Sequence, residues 1–139
     1  VISDTPYKPI SIRDQESYIS KTLSKLKYPY ELDETIKQSE LGLKVDSAVL
    51  LLKARAERYN LNIKSTINIF ANGACFAIHS GEPEFGVNLD LYLDERLLNR
   101  ILDRRSHWNN AEIGFHLEID CNPNTYEVDA HTFMQSLHL

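Results

Sequence analysis

The stretch Ser65-Thr66-Ile67-Asn68-Ile69-Phe70-Ala71-Asn72-Gly73-Ala74-Cys75-Phe76-Ala77-Ile78-His79 decides the fold. Before it the apolar residues recur at helical spacing; from Ser65 they alternate. Ile67, Ile69 and Ala71 fall on one side, with Thr66, Asn68 and Phe70 on the other, the period of a half-buried strand. Asn72-Gly73 is the strongest two-residue hairpin signal, and Ala74–His79 reads as the return strand. Ser80 to Phe85, with Gly81 and Pro83, reads as a loop. Val87, Leu89, Leu91 and Leu93 then alternate with Asn88, Asp90 and Tyr92, predicting a third strand with one buried face.

Upstream the period is helical. A first helix is expected over about 14–27, after an extended lead-in containing Pro6 and Pro9, and Pro29 ends it. Asp33 is the expected N-cap of a second helix reaching about Tyr59, with Leu41, Val45, Ala48, Val49, Leu52 and Ala56 in one apolar stripe. Downstream, Asp94 caps a short helix carrying Leu97, Leu98, Ile101 and Leu102. Phe115, Leu117, Ile119 and Cys121 alternate with His116, Glu118 and Asp120 and predict a fourth strand. Asn122-Pro123-Asn124 is a turn. A last helix over about 126–139 is expected to bury Val128, Phe133, Met134 and Leu137.

These elements predict an α+β domain: a mainly antiparallel sheet of four or five strands with helices packed on one face. One domain is expected over 1–139, its helical part about 14–60 and its sheet-and-helix part about 64–139. A chain of 139 residues with 42% hydrophobic and 25% charged residues has a globular composition and buries a core without staples. Its net charge of −5 does not favour nucleic acid or an anionic membrane. Arg100, Arg104 and Arg105 lie close together, but Asp94, Glu95 and Asp103 interrupt them. Cys75 and Cys121 have no C-x-x-C spacing and read as small buried hydrophobes, with their pairing open, in a reducing, cytoplasmic setting. No apolar run approaches the roughly 20 residues of a membrane span, and no signal peptide is visible. The first residue, Val1, is not methionine, and a piece of a longer polypeptide is expected.

No P-loop, G-x-G-x-x-G or G-x-S-x-G occurs, and no catalytic residue is assigned. His79, His107, His116, His131 and His138 lack zinc-helix spacing, so no metal and no cofactor are expected; a spatial site of His79, His116 and His131 is the remaining metal hypothesis. Asp90, Glu118 and Asp120 fall on polar strand faces, where solvated carboxylates are the ordinary case. The stretch His107-Trp108-Asn109-Asn110-Ala111-Glu112-Ile113-Gly114 has two readings. In one it is a helix-to-strand corner with Trp108 in the core. In the other it is a polar ligand site formed by Asn109, Asn110, Glu112 and the neighbouring His116, walled by Trp108.

Leu97 to Leu102, followed by His107 to Leu117, resembles the C-terminal region of certain metallo-β-lactamase-fold proteins. These include Rieske-linked members similar to nucleotide-sugar hydroxylases acting on amino sugars. Tyr126, Asp129, His131 and His138 match later features of that pattern. The resemblance covers residues 87–139 well and the first half loosely. It implies a non-catalytic C-terminal accessory domain of a larger hydrolase or oxygenase, assisting substrate binding or assembly. Its partner would be a catalytic domain of the same or another chain, and a sugar nucleotide would be a ligand. The His-x-His-x-Asp-His motif and the two Cys-x-His pairs of such enzymes are absent from this chain. The order of elements is also similar to a sterol-carrier-protein-like domain, which implies a binding module for a lipid or other apolar ligand.

Overall fold

The computed structural model describes residues 9–139, so residues 1–8 of the expected lead-in lie outside the described part. The chain divides into two compact units, with the boundary between Leu32 and Asp33. The long helix over 38–58 lies in the second unit, with the sheet.

In the first unit, helix α1 spans Ile12–Lys21 and starts at Ser11, whose hydroxyl accepts from the Asp14 amide. The expected single helix to Lys27 breaks at Thr22 into short 3₁₀ turns at Leu23–Lys25 and Pro29–Leu32. No residue of α1 is buried.

The second unit opens with Asp33. It does not cap the long helix. It accepts from Nη2 of Arg100 at 2.9 Å, with Arg105 at 3.6 Å. The hydrogen bond from Arg100 holds the Asp33 carboxyl below its ordinary pKa against the opposing effect of burial, and the charges of Arg100 and Arg105 add to it. A carboxylate that finds two guanidinium groups is drawn away from cap geometry, and α2 (Gln38–Arg58) begins five residues later, with Lys37 at its N-cap and no side-chain cap. The expected stripe of Leu41, Val45, Ala48, Val49, Leu52 and Ala56 is buried.

The remaining elements are β1 (Thr66–Ala71), β2 (Ala74–His79), β3 (Asn88–Leu93), α3 (Glu95–Leu102), α4 (Trp108–Ile113), β4 (Leu117–Asn122) and α5 (Val128–Met134). Asn72 and Gly73 take φ of 50° and 71°, the left-handed pair of a type I′ turn. Strand order is β2-β1-β3-β4. The outer pairs are antiparallel, but β1 and β3 are parallel, with Thr66 opposite Asn88. The sheet is therefore mixed, with its parallel pair at the centre.

The cause is local. β2 ends opposite the start of β1, at His79 beside Ile67. The following loop has only to cross the end of β1 to reach its free side. It starts β3 at the same end as β1, hence parallel. The crossing is tight: Glu82 donates to the Lys64 carbonyl, Gly81 to the Thr66 hydroxyl, and Thr66 to the Val87 carbonyl.

Glu127 secures the same strand start from the other side. Its carboxylate accepts from the amides of Lys64 at 2.6 Å and Ser65 at 2.9 Å, and from the Ser65 hydroxyl. Ser65 is 2% exposed. Glu127 stands at the N-cap of α5 but makes no cap there; its oxygens are spent on β1. Replacing Glu127 with alanine strands amides beside a buried serine, and should cost about 2 kcal/mol in urea unfolding, with glutamine costing less. A change below about 0.5 kcal/mol would contradict the assignment.

The core lies between one sheet face and the helices. Ile67, Ile69, Ile78, Leu89 and Leu91 meet Leu98, Ile101, Leu102, Phe133 and Met134, each at 3% exposure or less. Each such side chain contributes about 2 kcal/mol by burial. The other sheet face is open: Phe70 stacks on Tyr92 at 4.8 Å, and Asn68 donates to Asp90. Three expected core residues lie outside. Phe115 is 92%, Val128 60% and Ile119 38% exposed. Phe115 precedes β4 in a left-handed turn, and β4 is an edge strand that the helices leave partly uncovered. Cys75 is exposed rather than buried, and both cysteines are free. They sit on β2 and β4, the two opposite edges, too far apart in strand order to pair.

Candidate functional site

Trp108 and Ala111 are the buried residues of α4, and Trp108 is 3% exposed. Asn109 and Asn110 are exposed. In a helix these neighbours are turned about 100° per residue, so the indole faces the core while the amides face outward. The corner reading of 107–114 thus describes Trp108. His116 is half-buried, its ring against the Cα of Gly114. Gly114 closes α4 with ordinary φ, and Phe115 takes the left-handed turn at φ 56°.

Glu112 joins a different group. Its Oε1 lies 3.2 Å from Nδ1 of His131 on α5. A carboxylate at Nδ1 orients the ring and leaves Nε2 as the free nitrogen. Tyr126 stacks on the same ring at 4.6 Å. These residues border a cleft of about 500 Å³ lined by Leu89, Ile119, Asp120, Cys121, Asn124, Thr125, Tyr126 and His131. Its floor is the core-facing side of β4, which the helices leave open. One wall is the Tyr126–His131 stack, and the rim is polar.

Sequence reasoning placed His131 in a hypothetical metal site and did not join it to Glu112. A His and a Glu nineteen residues apart carry no spacing signal; only the packing of α4 beside α5 brings them together. Among the described residues no three His, Cys, Asp or Glu side chains converge on a metal position. His79 instead directs Nδ1 to the Ser65 carbonyl at 3.0 Å.

The Cys121 thiol donates towards the carbonyls of Pro123 and Thr125 at 3.4 and 3.3 Å. Its proton is thus engaged by backbone rather than offered to His131, the arrangement a thiol nucleophile would need. Asp90, Glu118 and Asp120 share the open sheet face with Tyr92. Partial burial, then these carboxylates, push the Tyr92 phenol above its ordinary pKa. The arginine cluster is consumed internally: Arg100 and Arg105 by Asp33, and Arg104 by the Leu139 carbonyl.

No known protein family, curated protein or solved structure matches the chain. No helix among the described residues is long and apolar enough to cross a membrane.

Proposed function

We propose that this domain is a non-catalytic binding module whose ligand occupies the cleft between β4 and α5. The observation that carries the proposal is the His131 ring, oriented by Glu112 and stacked on Tyr126 at the wall of a partly apolar cleft. The floor of Leu89, Ile119 and Cys121 is apolar and the larger part of the lining is polar, so a ligand would have to present both an apolar face and hydrogen-bonding groups. The cleft lining includes no lysine or arginine, and the Asp120 side chain belongs to the opposite, open face of the sheet. A neutral or cationic ring compound fits that balance better than the anionic sugar nucleotide suggested by the resemblance. The accessory role beside a catalytic domain of a metallo-β-lactamase-fold hydrolase or oxygenase rests on the likeness of residues 87–139. Phe115 is consistent with such assembly. An aromatic residue held at positive φ and 92% exposed costs about 1 kcal/mol of strain without contributing to this domain's core.

Amide NMR with neutral, cationic and anionic ring fragments tests the cleft. Saturable shifts are expected at Ile119, Cys121, Tyr126 and His131 with neutral and cationic fragments, weakened about tenfold by Tyr126→Ala, since stacking contributes on the order of 1 kcal/mol. Absence of saturable shifts at those residues, or a preference for anionic fragments, would sink the reading.

The sterol-carrier-like alternative draws on a second cleft of about 250 Å³ between α2 and α5, lined in part by Leu52, Ala56, Leu61 and Phe133. Leu52 and Phe133 are 0% and 1% exposed, so an apolar ligand would have to part them. Saturable binding of a fluorescent fatty acid, lost on Ala56→Trp, would favour this alternative.

A further inference from the structure

Helix α2 has a second apolar stripe, on the side away from the core. Leu43 and Leu50 are each 70% exposed and Leu51 42%. Leu43, Ser47, Leu50 and Ala54 follow at steps of four, three and four, which places them in one line along the helix. The Ser47 hydroxyl donates to the Leu43 carbonyl at 2.9 Å, so its polarity is already satisfied within the helix. Folding of the domain does not explain large apolar groups here, because the opposite face of α2 supplies the core.

The charges flanking this stripe are ordered. On one side stand Asp46 and Lys53, on the other Glu40 and Arg58, all exposed. The acidic member of each pair lies in the N-terminal half and the basic member in the C-terminal half. Among the described residues none of these four charges has an ion-pair partner.

We propose that α2 is the interface of an antiparallel homodimer, its Leu43–Leu50–Ala54 stripe packing on the same stripe of a second copy. Antiparallel pairing about Leu50 brings the acidic half of one helix onto the basic half of the other. Asp46 then faces Lys53 of the second copy, and Glu40 faces Arg58, on the two sides of one apolar seam. A two-fold axis repeats each pair, as an isologous interface requires. Parallel pairing would instead set like charges together. At 21 residues the helix offers a seam about 31 Å long.

The test is sedimentation equilibrium of the full 139-residue chain from about 1 to 500 μM, a range that brackets micromolar association. A reversible dimer is expected. Leu50→Glu should leave a monomer with unchanged circular dichroism, since its site is exposed. Asp46→Lys alone and Lys53→Asp alone should each weaken dimerisation about fivefold or more, and the double reversal should restore it. A wild-type monomer throughout the range would overturn the proposal and leave the stripe to a different partner. So would a dimer indifferent to Leu50→Glu, or one that the double reversal fails to restore.

Discussion

Gly81→Ala is expected to destabilise the protein by about 3 kcal/mol or more, because overpacking against backbone forces the main chain to move. A Cβ at residue 81 would lie 2.4 Å from both the Lys64 carbonyl oxygen and the Thr66 amide nitrogen, and 2.5 Å from the Ser65 carbonyl carbon. All three contacts are with main chain, so no side-chain rotation relieves them. The backbone in question is the start of β1, where the crossing loop sits on one side and Glu127 on the other. Displacing it disturbs the central parallel pair and the anchor of α5 together. Gly73→Ala is the useful contrast. Nothing lies within 4 Å of that position, and its cost is the left-handed φ of 71° alone, about 1 kcal/mol. Urea unfolding of both variants separates collision from strain. If Gly81→Ala proved the milder of the two, the close crossing would be refuted.

Trp108→Ala should cost about 3–5 kcal/mol, the range for emptying a buried large aromatic site. Trp108 is 3% exposed and stands where α3, α4 and the C-terminal residues Leu137 and His138 meet. Trp108→Phe, which leaves a smaller void, should cost about half as much. Trp108 is the only tryptophan, so its fluorescence in the native protein reports this site directly: a blue-shifted emission that moves red on unfolding is expected. The alanine variant has to be followed by circular dichroism. Were Trp108 a wall of an open ligand pocket, the alanine variant would keep its stability, and that result would return the indole to the functional reading.

Legibility differed sharply between parts of the molecule. The α2 stripe, the Asn72-Gly73 turn, the β3 alternation and the Asp94 cap were all readable, because each depends on residues a few positions apart. The edges of that reading failed where a distant group competed. Asp33 looks like a cap and is taken by Arg100. Glu127 stands at a cap position and serves β1 instead. The alternation in 115–121 implied a buried face, but burial needs a cover, and β4 lies at a sheet edge. Of the residues first assigned to a site, Trp108 belongs to the core, Asn109 and Asn110 face solvent, His116 packs on Gly114, and Glu112 reaches a cleft through His131.

By itself, then, the sequence determined the α+β class, the apolar stripe of α2, the Asn72-Gly73 turn and the alternation of β3, since these follow from side chains on a single local backbone. Only the tertiary structure decided that β1 and β3 run parallel, because the direction of β3 depends on which end of β1 the loop crosses. Only the tertiary structure brought Glu112 to His131 and placed Glu127 against Ser65. Such contacts span tens of residues and leave no periodic trace, so they exist only once the layers have packed.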